Sequence, residues 1–205
     1  MGSFKTPFFV IDGIDGCGKS TQAKLLSESL RAKGFKVTAV RDPGGTSISE
    51  QIRKIILSTE NVKMSSKTEL FLYTASRMQL IEEILRPARE AGEIIVSDRF
   101  TTSTIAYQSY GGGLPLDFVK TIIDASVKDF LPTKTFIIDV PIDLAEKRID
   151  AVRDRMELKN LDYKQRVRNG FIKQAAENKD VVPINGALSI EEIHSIIMRA
   201  VNEFL

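Results

Sequence analysis

Several features that would point to a secreted or membrane protein are missing from this chain. Cysteine occurs once among 205 residues, histidine once and tryptophan not at all. A single cysteine, Cys17, allows neither a disulfide framework nor a cysteine metal site. No apolar run approaches the about 20 residues that span a bilayer, and residues 1–6 are too short and too polar for a signal peptide. These absences predict a cytoplasmic protein with no membrane partner.

An excess of charge of one sign is missing too. The chain has 29 Lys and Arg residues against 27 Asp and Glu residues, a formal net charge of +2. No basic run stands apart from the motifs described below, so we expect no nucleic-acid partner. Repeats, low-complexity tracts and long linkers are also absent. The length suits one α/β domain over residues 1–205, large enough to bury a core on both faces of a sheet.

A glycine-rich stretch near the start fits G-x-x-x-x-G-K-S/T, the pattern of phosphate-binding loops. An apolar strand at residues 7–11 precedes it and an amphipathic helix follows until Gly34, which is the context that the motif requires. Backbone N–H groups, the helix N-terminus and the Lys19 ammonium would surround one anion, and Ser20 is placed to hold Mg²⁺. We therefore predict a nucleoside triphosphate site. Its residues are Gly13, Asp15, Gly16, Cys17, Gly18, Lys19, Ser20 and Thr21.

The rest of the chain alternates short apolar strands with amphipathic helices. Further strands are predicted at residues 37–40, 94–96, 136–140 and 181–184. This alternation predicts a five-stranded parallel sheet with helices on both faces. In such sheets the ligand crevice lies at the carboxyl ends of the strands, where Asp98 and Arg99 follow an apolar run.

Local signals predict where particular helices begin and end. Three capping boxes are expected, Ser47 with Glu50, Ser66 with Glu69, and Ser189 with Glu192. Pro87 should kink or end the second of these helices. The expected buried face of the first consists of Ile48, Ile52, Ile55 and Ile56.

The phosphate loop is shared by motors, switches and kinases, so other motifs must distinguish them. A switch GTPase would need D-x-x-G, which residues 42–45 fit, and N-K-x-D. In Asn178-Lys179-Asp180 the aspartate follows the lysine directly, so its carboxylate is one residue out of place for guanine.

A kinase for a small phosphorylated acceptor needs a second anion site, positive charge for the transferred group and a cover against water. Arginines border the expected crevice, and others lie in a polar segment that predicts a lid at about residues 148–160. The first group is Arg41, Arg53, Arg77 and Arg99, and the second is Arg148, Arg153 and Arg155.

Six blocks in chain order carry a resemblance to a known family. They are residues 13–20, 41–46, 73–77, 98–108, 154–157 and 166–170, of which the block 98–108 is the most specific. Through them the chain resembles thymidylate kinases of the bacterial and archaeal kind. The resemblance implies a three-layer phosphate-loop nucleoside monophosphate kinase fold, phosphorylation of dTMP to dTDP with ATP and Mg²⁺, and a homodimer. Another pyrimidine monophosphate kinase, using dUMP or UMP, and a regulatory phosphate-loop NTPase are the alternatives.

The resemblance also implies roles for residues around the acceptor. Asp15 would accept a hydrogen bond from the 3′-hydroxyl of the sugar, and Tyr107 would pack under that sugar and disfavour a 2′-hydroxyl. Tyr73 would stack on the thymine ring, Arg77 would donate to a thymine carbonyl, and Gln108 would read the imide edge. The full predicted dTMP site is Asp15, Arg41, Arg53, Tyr73, Arg77, Arg99, Thr104, Tyr107 and Gln108.

Phosphate handling is predicted from the same resemblance. Arg99 would clamp the acceptor phosphate, assisted by Arg41 or Arg53, with Arg41 preferred. Asp98 would orient Arg99 or the water shell of Mg²⁺, so Ser20 and Asp98 form the expected metal site. Some family members carry an arginine in the phosphate loop where this chain has Gly16. The catalytic set is therefore expected to be Lys19, Arg99 and a lid arginine, either Arg153 or Arg155, with Arg148 nearer the adenine.

Two other departures from the family pattern are visible. Asp42 stands where the family usually has glutamate, which keeps the charge and shortens the reach. The lid is compact compared with many bacterial relatives.

Overall fold

A parallel sheet forms the centre of the protein in the computed structural model, which describes residues 6–128, 130–149 and 153–205. The strands within those ranges are β1 (Phe8–Asp12), β2 (Val37–Arg41), β3 (Ile94–Asp98), β4 (Lys134–Asp139) and β5 (Val181–Asn185). They lie in the order β2-β3-β1-β4-β5 with every neighbouring pair parallel. The predicted five-stranded parallel sheet is confirmed.

Helices connect the strands. Those described are α1 (Lys19–Ala32), α2 (Ser47–Leu57), α3 (Ser66–Leu80), α4 (Arg86–Glu90), α5 (Thr101–Thr104), α6 (Leu116–Val127), α7 (Ile142–Glu146), α8 (Leu161–Glu177) and α9 (Ile190–Val201). Two π-helical segments, Ile81–Leu85 and Ile105–Gly111, continue α3 and α5, and a 3₁₀ turn, Asn202–Phe204, ends the chain. None of the described helices is both long and apolar enough to cross a membrane.

The two faces of the sheet are covered by different helices. On one face, Leu26 of α1 and Ile197 of α9 belong to a buried apolar cluster with side chains of β1 and β4. On the other face, Leu70 of α3 and Ile123 of α6 form a second cluster with the alternate residues of β1 and β3. Strands β1 and β3 are buried along their whole length because both faces are covered. The protein therefore has three layers, as predicted.

Strand order places the ends of β1 and β3 side by side. Ile11 of β1 pairs in register with Asp98 of β3, so Asp12 and the loop after it lie next to Asp98 and Arg99. From β1 the chain turns first toward β2, and later crosses from β3 to β4 on the opposite side of β1. The crevice at this reversal is where doubly wound sheets bind ligands.

Two of the three predicted capping boxes are wrong by one residue. The N-cap of α2 is Thr46, whose hydroxyl accepts from Ser49 N–H, and the N-cap of α3 is Ser65, which accepts from Thr68 N–H. In each case two adjacent hydroxyl residues could cap, and the chain uses the first. The third box, at the start of α9, is confirmed: Ser189 and Glu192 bond each other's backbone N–H.

Two further local predictions need correction. Of the two predicted effects of Pro87, an end of the helix is wrong: the π segment Ile81–Leu85 leads into α4, which contains Pro87 and continues to Glu90. Of the predicted buried face of α2, Ile56 is fully buried, but Ile48 and Ile55 are 50% and 49% exposed.

Candidate active site

The phosphate loop joins the end of β1 to the start of α1. Gly16 and Gly18 have φ values of 79° and 94°, which glycine adopts without the strain that a side chain would impose. Gly18 is the N-cap of α1 and no side chain caps this helix start. The first N–H groups of α1 are therefore open toward the crevice, which makes this helix end an anion site.

The loop has no room for a larger residue at its centre. A Cβ atom added to Gly16 would collide with the carbonyl oxygen of Ala145 in α7. Cys17 is buried beside Gly13, and its sulfur would lie 2.9 Å from a Cβ added there. An arginine at position 16 has no space here, so any positive charge beyond that of Lys19 must come from side chains outside the loop.

Lys19 and Ser20 stand at the first turn of α1. The Lys19 ammonium lies 3.3 Å from Asp15 Oδ1. Ser20 donates its hydroxyl to Asp98 Oδ2 at 2.5 Å, while Asp98 Oδ1 is buried with no hydrogen-bond partner in the described part of the chain. One hydroxyl and one carboxylate with a spare oxygen fit Mg²⁺, which takes few protein ligands and keeps several waters.

An ion network joins the ends of β1 and β3. One Arg99 nitrogen donates to Asp12 Oδ1 (3.2 Å), to Gly13 O (2.7 Å) and to Ser103 Oγ (2.9 Å), and the other is paired with Asp15. Arg99 has a φ of 72°, a left-handed backbone that costs energy for a residue with a side chain. The surrounding contacts hold it in that conformation, which aims the guanidinium across the phosphate loop.

Asp15 is the centre of this network. Tyr107 donates its hydroxyl to Asp15 Oδ2 at 2.8 Å, and Arg99 and Lys19 contact the other oxygen. Burial raises the pKa of the Asp15 carboxyl, but the charges of Arg99 and Lys19 and the Tyr107 hydrogen bond outweigh that effect and hold the pKa well below its usual range. Asp15 is thus an ionised acceptor at neutral pH.

A pocket opens beside this network on the side of α2 and α3. It is lined by Asp15, Asp42, Pro43, Arg53, Leu57, Tyr73, Arg77, Arg99, Ser103, Thr104, Tyr107, Gln108, Asp154 and Met156. Most of these side chains are polar or charged. We refer to it below as the acceptor pocket.

Arg77 is fixed in the wall of the acceptor pocket. It is 1% exposed, its Nε donates to Asp42 Oδ2 at 2.6 Å, and one terminal nitrogen donates to Thr104 Oγ1 at 2.7 Å. The other terminal nitrogen, Nη1, is buried without a partner among the described residues. Burial raises the pKa of the Asp42 carboxyl, although Arg77 opposes the change. A buried donor left open in a pocket wall is costly unless a ligand uses it.

A second cleft lies on the other side of the phosphate loop. It is lined by Gly16, Cys17, Gly18, Lys19, Ser20, Thr21, Gln22, Arg148, Gly186, Leu188, Ile190 and Ile193. We call it the donor cleft. Arg148 and Thr21 are exposed there, whereas apolar atoms of α9 and the loop before it form the far wall.

The structure separates the two arginines that were expected to assist Arg99. Arg53 lines the acceptor pocket and donates to Pro43 O at 3.0 Å. Arg41 is exposed, pairs with Glu50 at 3.1 Å and lines a different surface cleft. The structure therefore brings Arg53, and not Arg41, to the acceptor pocket.

The two candidate lid arginines also lie in different surroundings. Arg153 is half-buried and pairs with Glu146 at 2.7 Å. Arg155 is 4% exposed and donates its Nε to Ile56 O at 2.7 Å, so its contacts are with α2 and α3. Residues 150–152 of the predicted lid lie outside the described ranges.

Two functional candidates escaped the sequence reasoning. Asp12 is fully buried and accepts hydrogen bonds from Thr102 (2.6 Å), Ser103 (2.7 Å) and Arg99. Its position at the end of an apolar strand, matching that of Asp98, was the available signal. Glu69 is expected from the sequence only as a capping partner, whereas its carboxylate accepts from Gln108 behind the pocket wall.

Taken together, the parallel sheet, the phosphate loop at its switch point and the arginine-lined pocket beside it define a three-layer α/β kinase of the phosphate-loop class. A family model described as thymidylate kinase matches residues 11–197. The chain is 40% identical to the thymidylate kinase of Fervidobacterium nodosum over 199 residues, covering 97% of this chain and all of that one. It is also 40% identical to that of Kosmotoga olearia over 201 residues, covering 97% and 95%.

A solved structure gives the same result. The crystal structure of thymidylate kinase from Ehrlichia chaffeensis superposes with a TM-score of 0.78 at 30% identity, covering 95% of this chain and 98% of that one. The protein described here belongs to the thymidylate kinase family.

Proposed function

We propose that this protein transfers the γ-phosphoryl group of ATP to dTMP, which gives ADP and dTDP. The observation that carries the proposal is the acceptor pocket, where Tyr73, Arg77 and Gln108 line a space that opens onto Arg99 and Asp15 at the phosphate loop. A flat aromatic ring suits a base, and hydrogen-bonding groups suit the polar edge of that base. A guanidinium suits a phosphate.

The contacts of each side chain support its role. The open Nη1 of Arg77 is a donor for a carbonyl oxygen of the base, since its other nitrogens are occupied. Arg99 is the clamp for the acceptor phosphate, with Arg53 as its assistant because both line the same pocket. Asp15 accepts from the 3′-hydroxyl, and its lowered pKa keeps it ready to accept. Tyr107, bonded to Asp15, closes the pocket under the sugar.

The reaction needs no general base. The acceptor phosphate has a second pKa of about 6, so it is mostly dianionic at neutral pH and attacks without losing a proton. The difficulty is the approach of two anions, which Lys19 and Arg99 offset from either side of the loop. Ser20 and Asp98 would hold Mg²⁺, which when bound supplies further charge neutralisation at the transferred phosphate.

Positive charge on the lid side is assigned to Arg153. Arg155 is buried against α2 and α3, whereas Arg153 is only half-buried and pairs with Glu146, the last residue of α7. Arg148 borders the donor cleft and is proposed to contact the adenine end of ATP. We further propose that the whole chain acts as one domain with residues 148–160 as its lid, in the cytoplasm, where the single thiol of Cys17 stays reduced.

A homodimer through α2 and α3 is part of the proposal. These helices pack on one another, and each exposes two large apolar side chains seven residues apart. They are Ile48 and Ile55 on α2 and Phe71 and Met78 on α3, each 48–51% exposed. Apolar side chains repeated on one face of two adjoining helices favour a protein interface. Sedimentation equilibrium should give twice the chain mass, and a Phe71→Glu variant should give the monomer.

The activity is tested by an acceptor panel. ADP release is followed with ATP, Mg²⁺ and, in turn, dTMP, dUMP, UMP, dCMP and dAMP. The highest kcat/KM is expected for dTMP. A different preferred acceptor, or slow ATP hydrolysis that no monophosphate accelerates, would contradict the proposed function.

A further inference from the structure

Three buried polar side chains lie together at the wall of the acceptor pocket. Glu69, Gln108 and Arg155 are 4%, 1% and 4% exposed. Gln108 lines the pocket, while Glu69 and Arg155 do not. Burying a carboxylate and a guanidinium here is costly unless both are paired, so the arrangement calls for a physical reason.

Both oxygens of Glu69 are used. Oε1 accepts from Gln108 Nε2 at 3.0 Å, and Oε2 lies 2.6 Å from Nη1 of Arg155. Arg155 is anchored in turn, because its Nε donates to Ile56 O at 2.7 Å and its backbone N–H donates to Leu57 O at 3.1 Å. The end of α2 therefore fixes Arg155 through hydrogen bonds. Arg155 in turn fixes Glu69 through an ion pair, and Glu69 fixes Gln108 through a hydrogen bond.

This chain of contacts fixes which end of the Gln108 amide faces the pocket. An amide can present either its NH₂ or its oxygen, and the two orientations fill the same space. An ionised carboxylate can only accept hydrogen bonds, so Gln108 must give its NH₂ to Glu69. The amide oxygen is left on the pocket side, and no described residue donates to it.

We propose that Glu69 is a positioning residue that sets the hydrogen-bonding polarity of Gln108, and thereby selects a base with a ring N–H donor over one with a ring acceptor. Thymine and uracil carry such a donor at N3, whereas N3 of cytosine accepts. With Gln108 fixed as an acceptor, its amide oxygen would face the lone pair on N3 of cytosine, and the two acceptors would repel each other. This inference rests on the proposed function and concerns how the same pocket chooses its pyrimidine.

The test is the ratio of kcat/KM for dTMP to that for dCMP, measured in the full-length protein with ATP and Mg²⁺. In Glu69→Gln the new amide can donate as well as accept, so Gln108 is free to turn over. We expect the dTMP-to-dCMP ratio to fall by about tenfold or more, the effect of leaving one buried polar group mismatched. In Glu69→Asp a carboxylate still pairs with Arg155, but the shorter side chain no longer reaches Gln108. The dTMP-to-dCMP ratio should therefore fall in this variant too. That variant serves if Glu69→Gln does not fold, as judged by thermal unfolding.

The chain supplies a matched control. Gln79 donates to Glu83 at 2.9 Å on the exposed side of the helical run, the same pair of residue types away from the pocket. Glu83→Gln should leave the ratio unchanged. In a Gln108→Leu background, Glu69→Gln should no longer alter the ratio, because the residue through which Glu69 acts is gone.

The outcomes separate the two ideas. If both Glu69 variants lower the rates with dTMP and dCMP equally, Glu69 is only structural and the inference is overturned. If the unchanged protein shows no preference for dTMP in the first place, the proposed function fails and not merely this refinement of it.

Discussion

The acceptor pocket and the donor cleft meet at one loop but are built in opposite ways. On the acceptor side Arg77, Thr104 and Gln108 are 1–2% exposed, and every one of them is held by another buried polar group. On the donor side Arg148 and Thr21 are exposed, and no side chain caps the first backbone N–H groups of α1. Under the proposed function, this contrast means that discrimination between acceptors is prepared before the substrate arrives, whereas the donor is held mainly through its phosphates. Polar groups fixed in advance lose little entropy on binding.

The largest expected effect is on kcat. It runs against the view, suggested by that contrast, that the most rigidly held residues contribute most to activity. Arg153 is less buried than Arg77, yet as the proposed lid cation it should stabilise the negative charge of the transition state. Arg153→Ala should lower kcat by about 10³-fold, while KM for dTMP stays nearly constant because Arg153 does not line the acceptor pocket. Steady-state kinetics with both substrates varied measures this.

Glu146 offers the control for that experiment. It accepts from Arg153 and from Lys164, the latter at 2.6 Å. Lys164→Met removes the other cation from the same carboxylate. An equal loss of kcat in Lys164→Met would assign the effect to Glu146 and remove Arg153 from the reaction.

Arg99 joins the two regions, and its replacement should hurt the acceptor side alone. Arg99→Ala should lower kcat/KM for dTMP by about 10²-fold, since one partly buried, multiply bonded guanidinium is lost from the phosphate clamp. ATP affinity, measured by calorimetry without dTMP, should change little. Arg99→Lys keeps the charge without the fork and should recover part of the loss.

Two controls are needed to interpret the Arg99→Ala measurement. The exposed Arg199→Ala on α9 is the control for removing an arginine, and thermal unfolding of Arg99→Ala reports any loss of the fold. A drop in ATP affinity with dTMP affinity preserved would place Arg99 on the donor side.

A third prediction concerns the group shared by both regions. The pKa of Asp15 is lowered in the folded protein, so its charge adds stability above the unfolded pKa of about 3.9 and that stability is lost as pH falls. The free energy of unfolding of the native protein minus that of Asp15→Asn should therefore be largest near pH 7 and shrink below about pH 5. Urea unfolding at several pH values measures the difference. A gap that stays constant down to pH 3 would show that Asp15 gains nothing from Arg99 and Lys19.

The fold and the existence of the site could be predicted because their signals are local or periodic. The phosphate loop, the strand before it and the alternation of strands and helices are each contained in a short stretch. Family resemblance then named the acceptor residues, and Arg77, Arg99 and Gln108 do line one pocket.

Pairings between distant residues could not be predicted. Glu69 satisfies the spacing of a capping box, but its carboxylate goes to Gln108 and Arg155, 39 and 86 positions away. Arg155 lies in a polar segment typical of a lid, yet carbonyls at the end of α2 draw it inward. Ile48 and Ile55 have the spacing of a buried face, and spacing does not reveal whether a core or another protein surface covers them. In all three cases the deciding partner is outside the local pattern.

The smallest expected effect sharpens the comparison from the donor side. Arg148 is exposed at the edge of the donor cleft, and contacts of exposed charges are worth only about 0.2–1 kcal/mol. Arg148→Ala should raise KM for ATP about two- to fivefold and leave kcat and KM for dTMP unchanged. If KM for dTMP rose equally, the two regions would be coupled through the lid and the division between a prepared acceptor side and an open donor side would fail. If instead only ATP is affected, and the effect shrinks at high salt as expected for a screened surface charge, then Arg148 adds to donor binding without helping to choose the acceptor.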